Sequence, residues 1–342
     1  MTQPPPNAAS GILRKLSISP RYPRALHSSR KATARWLSRL GLAAALLAAG
    51  CRGSGPGPAG AAAAAVRTAG CPRCGGAVRI GALPRGDADE CSGVVAGAVH
   101  PGTLYLHNDS GDRPRFFAIG LDGAPRGEIE VAGARAVDWE GAARGPCGAG
   151  GGSCLLFGDI GDNDRERDRY ALYEVREPAA LGGARRAVAA EAISLAYPDG
   201  SHNAETLLVH PVTGAITVVT KVKKKKDSAG IYELSTRPAA GQTATLVGAG
   251  SIAAPVGSRS FTGGDVRADG AGVLLRTYSH VFFYPMAPDQ TVAQALAGPP
   301  CDMPAADEDQ GEAIAWLPGG WDYVTIGEGD EAPIHRVSCQ AP

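Results

Sequence analysis

The 342-residue chain has no excess of charge of either sign, because 34 Lys and Arg residues balance 34 Asp and Glu residues. Without a basic surface interleaved with aromatic residues, nothing in the sequence predicts nucleic-acid binding. No internal apolar run reaches the roughly 18 residues of a membrane-spanning helix. The sequence also lacks the GxSxG, HExxH and P-loop motifs, so it indicates no serine hydrolase, zinc protease or P-loop nucleotide site.

Sustained helical periodicity is also missing, except over Thr291–Ala297. In its place the chain has 47 glycines and 26 prolines, a content that favours many turns over long helices. Short apolar runs separated by Gly, Pro and Asp turns are typical of β-strands. The composition therefore predicts an all-β fold.

A short pattern returns five times, consisting of a small or acidic residue followed by a brief apolar stretch. The copies are Ser92–Val95, Glu140–Ala143, Glu205–Leu208, Asp265–Ala268 and Glu312–Ala315. Strand-rich repeats of roughly 40–50 residues are typical of β-propeller blades, and these copies recur at comparable or somewhat longer intervals. Four of the five copies begin with a carboxylate, which would face the central channel if each copy is the first strand of a blade.

We predict a β-propeller over residues 76–342, with five blades in preference to six. A sixth blade could occupy the longer intervals between the second, third and fourth copies. The last repeat lacks a fourth strand, and the segment Ala77–Leu83 is expected to supply it and so remove two exposed sheet edges. A β-sandwich is the alternative fold, but it would not explain the recurring carboxylate.

The N-terminus carries a basic region without acidic residues over 11–40, followed by an apolar core that ends at Leu47-Ala48-Ala49-Gly50-Cys51. This order is that of a secretory signal, here assigned to residues 1–50. The ending resembles the lipobox of bacterial lipoproteins, with Ala48 where the family usually has Leu. Residues 51–75 then form a Gly-, Ala- and Pro-rich tether.

The lipobox resemblance implies cleavage before Cys51 and lipidation of that cysteine. The protein is then expected in the bacterial cell envelope, bound to the membrane through its lipid. Arg52 follows the cysteine, which by family analogy fits the outer membrane in a cell with two membranes. The alternative is an ordinary signal peptide that ends in cysteine.

Seven cysteines follow Cys51, in an exported and therefore oxidising setting. Cys147 and Cys154 flank a Gly-rich loop and are predicted to form a disulfide. Closure of the ring predicts a bond from Cys74 or Cys71 to Cys339, and a Cys91–Cys301 bond is a weaker expectation. The Cys71-Pro72-Arg73-Cys74 motif could instead be a redox or zinc half-site, although no second CxxC or His pair accompanies it.

The first strands of a propeller run side by side along the channel, so the repeat predicts that several side chains converge there. The candidate metal ligands are Asp138, Glu140, Asp159, Glu205, Asp265 and Glu312. Oxygen ligands of this kind suit Ca²⁺ or Mg²⁺ better than a soft metal. The candidate catalytic residues are Glu140, Glu205, Asp265 and Glu312 with Lys221 and Arg276, the last two to hold an anionic group. The alternative is a channel whose polar residues do no chemistry.

Several motifs carry a resemblance over about residues 85–340. They are His107–Asp112, Asp138–Glu140, Gly158–Asn163, Asn203–Glu205 and Gln310–Ala315. They resemble an uncharacterised group of exported bacterial β-propeller proteins and, more distantly, phytase-like propellers, calcium-activated nucleotidases and the gluconolactonase group. That resemblance implies acidic metal ligands around a channel and hydrolysis of phosphoesters or lactones. Ser92 departs from the acidic pattern in the first blade.

Two functions follow. The first is a lipid-anchored binding or scaffolding module of the cell envelope, with a divalent cation such as Ca²⁺ in its channel and a protein or small anionic ligand as partner. The alternative is a calcium-dependent hydrolase of phosphoesters or similar anionic substrates.

Overall fold

The computed structural model describes residues 70–342 except 87, 183–185, 223, 225–226 and 239–240. The predicted signal peptide, Cys51 and most of the tether lie outside the described residues. Within the described part, one short helix accompanies the strands, and no helix there is long and apolar enough to cross a membrane.

Two strands precede the first blade: β1 (Arg73–Cys74) and β2 (Val78–Ala82). The first blade contains β3 (Cys91–Ala96), β4 (Thr103–Asn108), β5 (Arg115–Gly120) and β6 (Pro125–Ala132). Next come β7 (Trp139–Pro146), β8 (Ser153–Asp159), β9 (Tyr170–Arg176), β10 (Arg186–Ala189) and β11 (Glu191–Ala196). The third repeat comprises β12 (Ala204–Val209), β13 (Ile216–Thr220), β14 (Ala229–Leu234), β15 (Thr243–Thr245) and β16 (Val247–Ile252).

The fourth repeat comprises β17 (Phe261–Val266), β18 (Gly272–Thr277), β19 (Val281–Pro285), helix α1 (Val292–Leu296) and β20 (Cys301–Met303). The last consists of β21 (Gly311–Trp316), β22 (Tyr323–Gly327), β23 (Pro333–Val337) and β24 (Cys339–Gln340). Thr291 caps α1 through its hydroxyl, which accepts from the Gln294 N–H in a capping box.

The sheets form a five-bladed β-propeller, which confirms the predicted fold and blade number. Each blade is an antiparallel meander whose first strand, β3, β7, β12, β17 or β21, lines the channel. The predicted closure is also present, because β2 pairs antiparallel with β23 and completes the fifth blade. The first and last parts of the propeller sequence therefore share one sheet.

Extra segments extend or pack against the outer parts of several blades, which limits pairing with other chains. Strand β10 leaves the second repeat and pairs parallel with β6 of the first blade, and β15 leaves the third repeat and pairs parallel with β11 of the second. Helix α1 packs on the third blade. The Cys71–Cys301 disulfide holds the N-terminal segment against β20. Gly123, in the turn between β5 and β6 of the first blade, packs against β2 of the fifth blade. The approach is so close that a Cβ at Gly123 would collide with the Ala82 carbonyl.

These edge strands break the order of the blades along the chain. Strand β15 follows β14 of the third blade in sequence but belongs to the second blade, and β16 is the fourth strand of the third blade. The two strands are almost contiguous in sequence, and their pairing with different sheets is a long-range choice that local residue pattern does not encode.

The core lies between neighbouring blades, and the five hydrophobic clusters correspond to the five blade interfaces. Inner and second strands are buried on both faces, which explains why they are continuous apolar runs rather than alternating ones. Between the first two blades, Trp139 stacks on Phe157 with ring centroids 5.5 Å apart. Such stacking fixes the start of β7, which carries Glu140 and is directly preceded by Asp138.

Three disulfides are present among the described residues. Cys147–Cys154 and Cys74–Cys339 are pairs that the sequence predicted. The expected Cys91–Cys301 bond is wrong, because Cys301 pairs with Cys71 and Cys91 remains a free, buried thiol. Cys91 begins an inner strand of the first blade while Cys301 lies on the outermost strand of the fourth, so the two cannot meet. Burial raises the pKa of Cys91 to about 12. Since Cys71 and Cys74 each pair with a distant cysteine, they form no redox or zinc half-site.

The directions of the strands show which residues lie at each end of the channel. Glu312 lies near the start of β21, and antiparallel pairing brings the end of β22 to the same level. Strand β23 then runs away from that level towards Cys339. The chain therefore enters the described structure, through Cys71 and Cys74, at the end of the blades opposite the Glu312 level.

Candidate cation site at one mouth of the channel

All five inner strands carry a β-bulge at the same place, immediately after their first residue. A bulge leaves a residue unpaired and re-aims its side chain, and bulges are common beside active sites. The residues at this position are Ser92, Glu140, Glu205, Thr262 and Glu312. Ser92, Glu140, Glu205 and Glu312 line one cavity at the mouth of the channel. The recurring acid that the sequence analysis found is thus the bulge residue in three blades.

Asp265 does not belong to this set, which corrects the prediction that it converges with the glutamates. The bulge residue of β17 is Thr262, whose hydroxyl donates to the Gly311 carbonyl at 2.7 Å. Asp265 lies three residues further along the strand, where its carboxylate accepts from the Trp316 backbone N–H at 2.9 Å. Burial raises the pKa of Asp265 to about 6. The repeat was aligned on the acid, whereas the shared feature is the bulge.

A second set of side chains reaches the mouth from the residue that directly follows a second strand. These residues are Asp109, Lys221, Tyr278 and Glu328, and the second blade supplies Asn163 from its next loop. Sequence reasoning missed Tyr278, although its position after β18 is the signal that could have identified it. The resulting cavity has a volume of about 150 Å³, and all five blades contribute to its walls. Because the walls carry Glu90, Asp109, Glu140, Glu205, Glu312 and Glu328 against Lys221, the cavity is strongly acidic.

Arg276 does not face this cavity, so its predicted role of holding an anionic group is wrong on geometry. It lies two residues before Tyr278 and is fully buried, where its guanidinium pairs with the equally buried Glu308 at 2.8 Å. The same guanidinium donates to the Ala313 carbonyl at 2.8 Å. These contacts tie the fourth blade to the fifth and leave Arg276 with a structural role.

Lys221 does line the cavity, but its ammonium is in contact with Glu205 and lies 5.5 Å from the centre of the Tyr278 ring. Burial acts against the charged ammonium, yet Glu205 and Tyr278 outweigh it and raise the pKa of Lys221. The lysine is therefore a resident counter-ion of Glu205 rather than a free cation.

Three carboxylates of the first two blades come together at this mouth: Asp109, Asp138 and Glu140. One oxygen from each lies within 4.8 Å of the others. Oxygens bound to a single Ca²⁺ at 2.3–2.6 Å can be no more than roughly 5 Å apart, so this spacing fits one ion. Asp138 and Glu140 were predicted ligands. Asp109 was not, since it comes from the end of β4 in the neighbouring blade.

Asp159, another predicted ligand, supports this cluster from behind without joining it. Its carboxylate pairs with Arg167 at 2.8 Å and accepts from the Asp138 backbone N–H at 3.1 Å. The adjoining loop is closed by hydrogen bonds to Asp162. The Asp162 carboxylate accepts from the backbone N–H groups of Glu166 and Arg167 and from the Tyr170 hydroxyl.

The carboxylates of the mouth are short of compensating partners. Burial, with Glu205 nearby, raises the pKa of Glu140 well above its usual value and that of Glu312 to about 8. Burial, with Asp109 nearby, raises the pKa of Asp138 to about 7. One oxygen of Asp138 and one of Glu205 are buried with no hydrogen-bond partner among the described residues. Ser92 donates to Glu140, which is a single neutral bond. A cation would offset both the repulsion and the missing bonds.

No protein-family model matches the chain, and no curated protein matches it. Among solved structures, it resembles the PQQ-bound aldose sugar dehydrogenase of Streptomyces coelicolor, with 11% identity and a TM-score of 0.44 over 79% of this chain and 100% of that one. It also resembles Raptor from Chaetomium thermophilum, with 8% identity and a TM-score of 0.43 over 79% of this chain and 30% of the Raptor chain. At these identities and TM-scores, neither likeness bears on what the channel binds.

Proposed function

We propose that this protein is a lipid-anchored β-propeller of the bacterial cell envelope that binds a divalent cation, Ca²⁺ in preference to Mg²⁺, at one mouth of its channel. The observation that carries the proposal is the cluster of Asp109, Asp138 and Glu140, whose oxygens lie within 4.8 Å of one another. The unpartnered buried oxygen of Asp138 adds support, because an ion would supply its missing contact. Flexible carboxylates with room for water suit Ca²⁺ better than the strict octahedron of Mg²⁺.

The acidic wall argues for a binding module rather than a phosphoester hydrolase. A hydrolase of anionic substrates needs a cationic side chain free to meet them, and the two candidates are engaged elsewhere. Arg276 is paired with Glu308 inside the fold, and Lys221 is in contact with Glu205. With six carboxylates around it, the cavity repels an anion unless the bound cation reverses its charge.

Adding Ca²⁺ to protein treated with EDTA is expected to stabilise the fold. At a free concentration of one hundred times Kd, the gain in the free energy of unfolding is about 2.7 kcal/mol. For a domain of this size that gain raises Tm by about 5–10 °C, measured by differential scanning calorimetry. Asp138→Asn and Glu140→Gln are expected to remove the shift.

Glu130→Gln is the matched control, because Glu130 is an exposed carboxylate on β6. It should leave the Ca²⁺ response intact. An unchanged Tm of the wild-type protein on both EDTA treatment and Ca²⁺ addition would contradict the proposed site, as would an undiminished response in Asp138→Asn.

Anchoring through Cys51 is a separate part of the proposal, supported by the lipobox-like sequence. The described chain starts at Gly70, beside the disulfides at the far end from the carboxylates. Cys51→Ser is expected to move the protein from the membrane pellet to the soluble fraction in a detergent-free fractionation. Retention in the pellet would refute the anchor, and Cys91→Ser is the control.

A further inference from the structure

A second cavity lies at the opposite mouth of the channel and has different chemistry. It has a volume of about 290 Å³ and is lined by Arg144, Arg267 and Trp316, among others. Arg144 is near the end of β7, Arg267 directly follows β17, and Trp316 ends β21. The second blade is not a neighbour of the fourth or fifth in the ring, so residues from all three meet only across the channel axis.

The two guanidinium groups differ in how they are held. Arg267 is fixed by two hydrogen bonds to Asp269, at 2.9 and 2.6 Å, and stacks on Trp321 with its Cζ 3.8 Å from the ring centre. Arg144 is half-buried, and the part of the chain that the structure describes gives its guanidinium no hydrogen bond or ion pair. The buried Asp265 carboxylate interacts electrostatically with Arg144, but it accepts its hydrogen bond from the Trp316 backbone N–H. Arg144 thus has guanidinium N–H groups without acceptors among the described residues, in a cavity that Arg267 also lines.

A third donor in the same cavity wall is also unused. The Trp316 side chain is only 4% exposed, and its indole Nε1–H is buried without an acceptor in the described residues. An unpaired buried N–H costs free energy that a bound acceptor would recover. The cavity walls therefore combine two unpaired donors, the Arg144 guanidinium and the Trp316 indole N–H, with Arg267, whose charge is balanced by the Asp269 carboxylate in the same wall.

We propose that this cavity binds a small oxyanion, a carboxylate or a phosphate, between the Arg144 guanidinium and the Trp316–Arg267 wall. Arginine presents paired N–H donors that match both kinds of anion. The site is independent of the cation cluster, because the inner strands run from one mouth to the other. The propeller then has a cation-binding mouth and an anion-binding mouth, and the anionic partner expected from the sequence binds at the second.

The test is a titration of ¹⁵N-labelled protein with inorganic phosphate and, separately, with acetate, followed through the tryptophan indole N–H resonances. Trp316→Phe assigns its signal. The expected result is a saturable downfield shift of the Trp316 indole proton with at least one of the two anions. The anion that produces the shift identifies the ligand class. Arg144→Gln should weaken that binding about tenfold or more, since a charge-assisted contact is lost.

Arg176→Gln is the matched control, because Arg176 is an exposed arginine at the same end of the blades and donates to the Gly151 carbonyl. It should bind the anion as the wild type does. Arg144→Lys keeps the positive charge but lacks the paired N–H donors of the guanidinium, so it is expected to bind the anion more weakly than the wild type. This variant tests the proposal if Arg144→Gln does not fold. The absence of a saturable shift with both anions, or wild-type affinity in Arg144→Gln, would overturn the proposal.

Discussion

Replacing Arg276 by methionine is expected to lower the free energy of unfolding by about 3–5 kcal/mol, because it strands a buried carboxylate without its permanently charged partner. Glu308 is only 2% exposed in its side chain, and Arg276 contacts one of its oxygens at 2.8 Å. Thr325 and His335 contact the other oxygen and remain in the variant. The substitution also removes the donor to the Ala313 carbonyl, on the inner strand of the fifth blade. Equilibrium unfolding in urea measures the change.

The double variant Arg276→Met with Glu308→Gln is the decisive comparison. It removes the stranded charge, so it should recover part of the loss although one more side chain is altered. The exposed pair Arg85–Glu331 provides the external control, and Arg85→Met should leave the free energy of unfolding nearly unchanged because solvent screens an exposed ion pair. If Arg276→Met and Arg85→Met lower the free energy of unfolding equally, Arg276 is not the buried link between blades that we infer.

Removing the Cys74–Cys339 disulfide by a double change to serine is expected to cost about 3–4 kcal/mol. The bond joins residues 265 positions apart, although the remaining Cys71–Cys301 link shortens the loop that it closes. Its loss frees the start of the fifth blade's closing strand in the unfolded chain, and the entropic cost of closing a loop grows with loop length. Urea unfolding under non-reducing conditions measures it.

The Cys147–Cys154 disulfide is the matched control, because it closes a hairpin loop with a separation of 7. Its double serine variant should lose less, about 2–3 kcal/mol at most by the same entropic argument. If the short-loop variant is destabilised more than the ring-closing one, closure of the ring by the terminal strands contributes less than the topology indicates.

Acidic and basic side chains lie at two different mouths of the channel, whereas the sequence analysis assigned both kinds of charge to one site. Carboxylates collect at the bulge end, where Glu140, Glu205 and Glu312 begin their strands. Arg144 and Arg267 collect where the inner strands end. A channel with opposite charge at its ends would take ligands of opposite charge from opposite sides.

The sequence by itself determined the fold class and the closing role of the segment around β2, favoured five blades over six, and predicted a ring-closing bond to Cys339 from Cys74 or Cys71. These follow from local pattern: short apolar runs, turn residues and a repeat whose period matches one blade. It also determined that Glu140, Glu205 and Glu312 recur at an equivalent place. Each of these features is carried by residues near one another in the chain or by the repeat itself.

Only the tertiary structure decided which side chains share a site. The bulge, not the acid, is the repeated feature, and a one-residue change in register turns a side chain to the other face. Asp265 and Arg276 were therefore assigned to the mouth but lie within the walls, while Asp109 and Tyr278 reach it from the ends of second strands. Cys91 and Cys301 failed to pair for the same reason, because a cysteine's partner depends on which strands the ring brings together. Charge pairing is likewise long-range, and it alone separates a buried tie such as Arg276–Glu308 from an unpaired group such as Arg144.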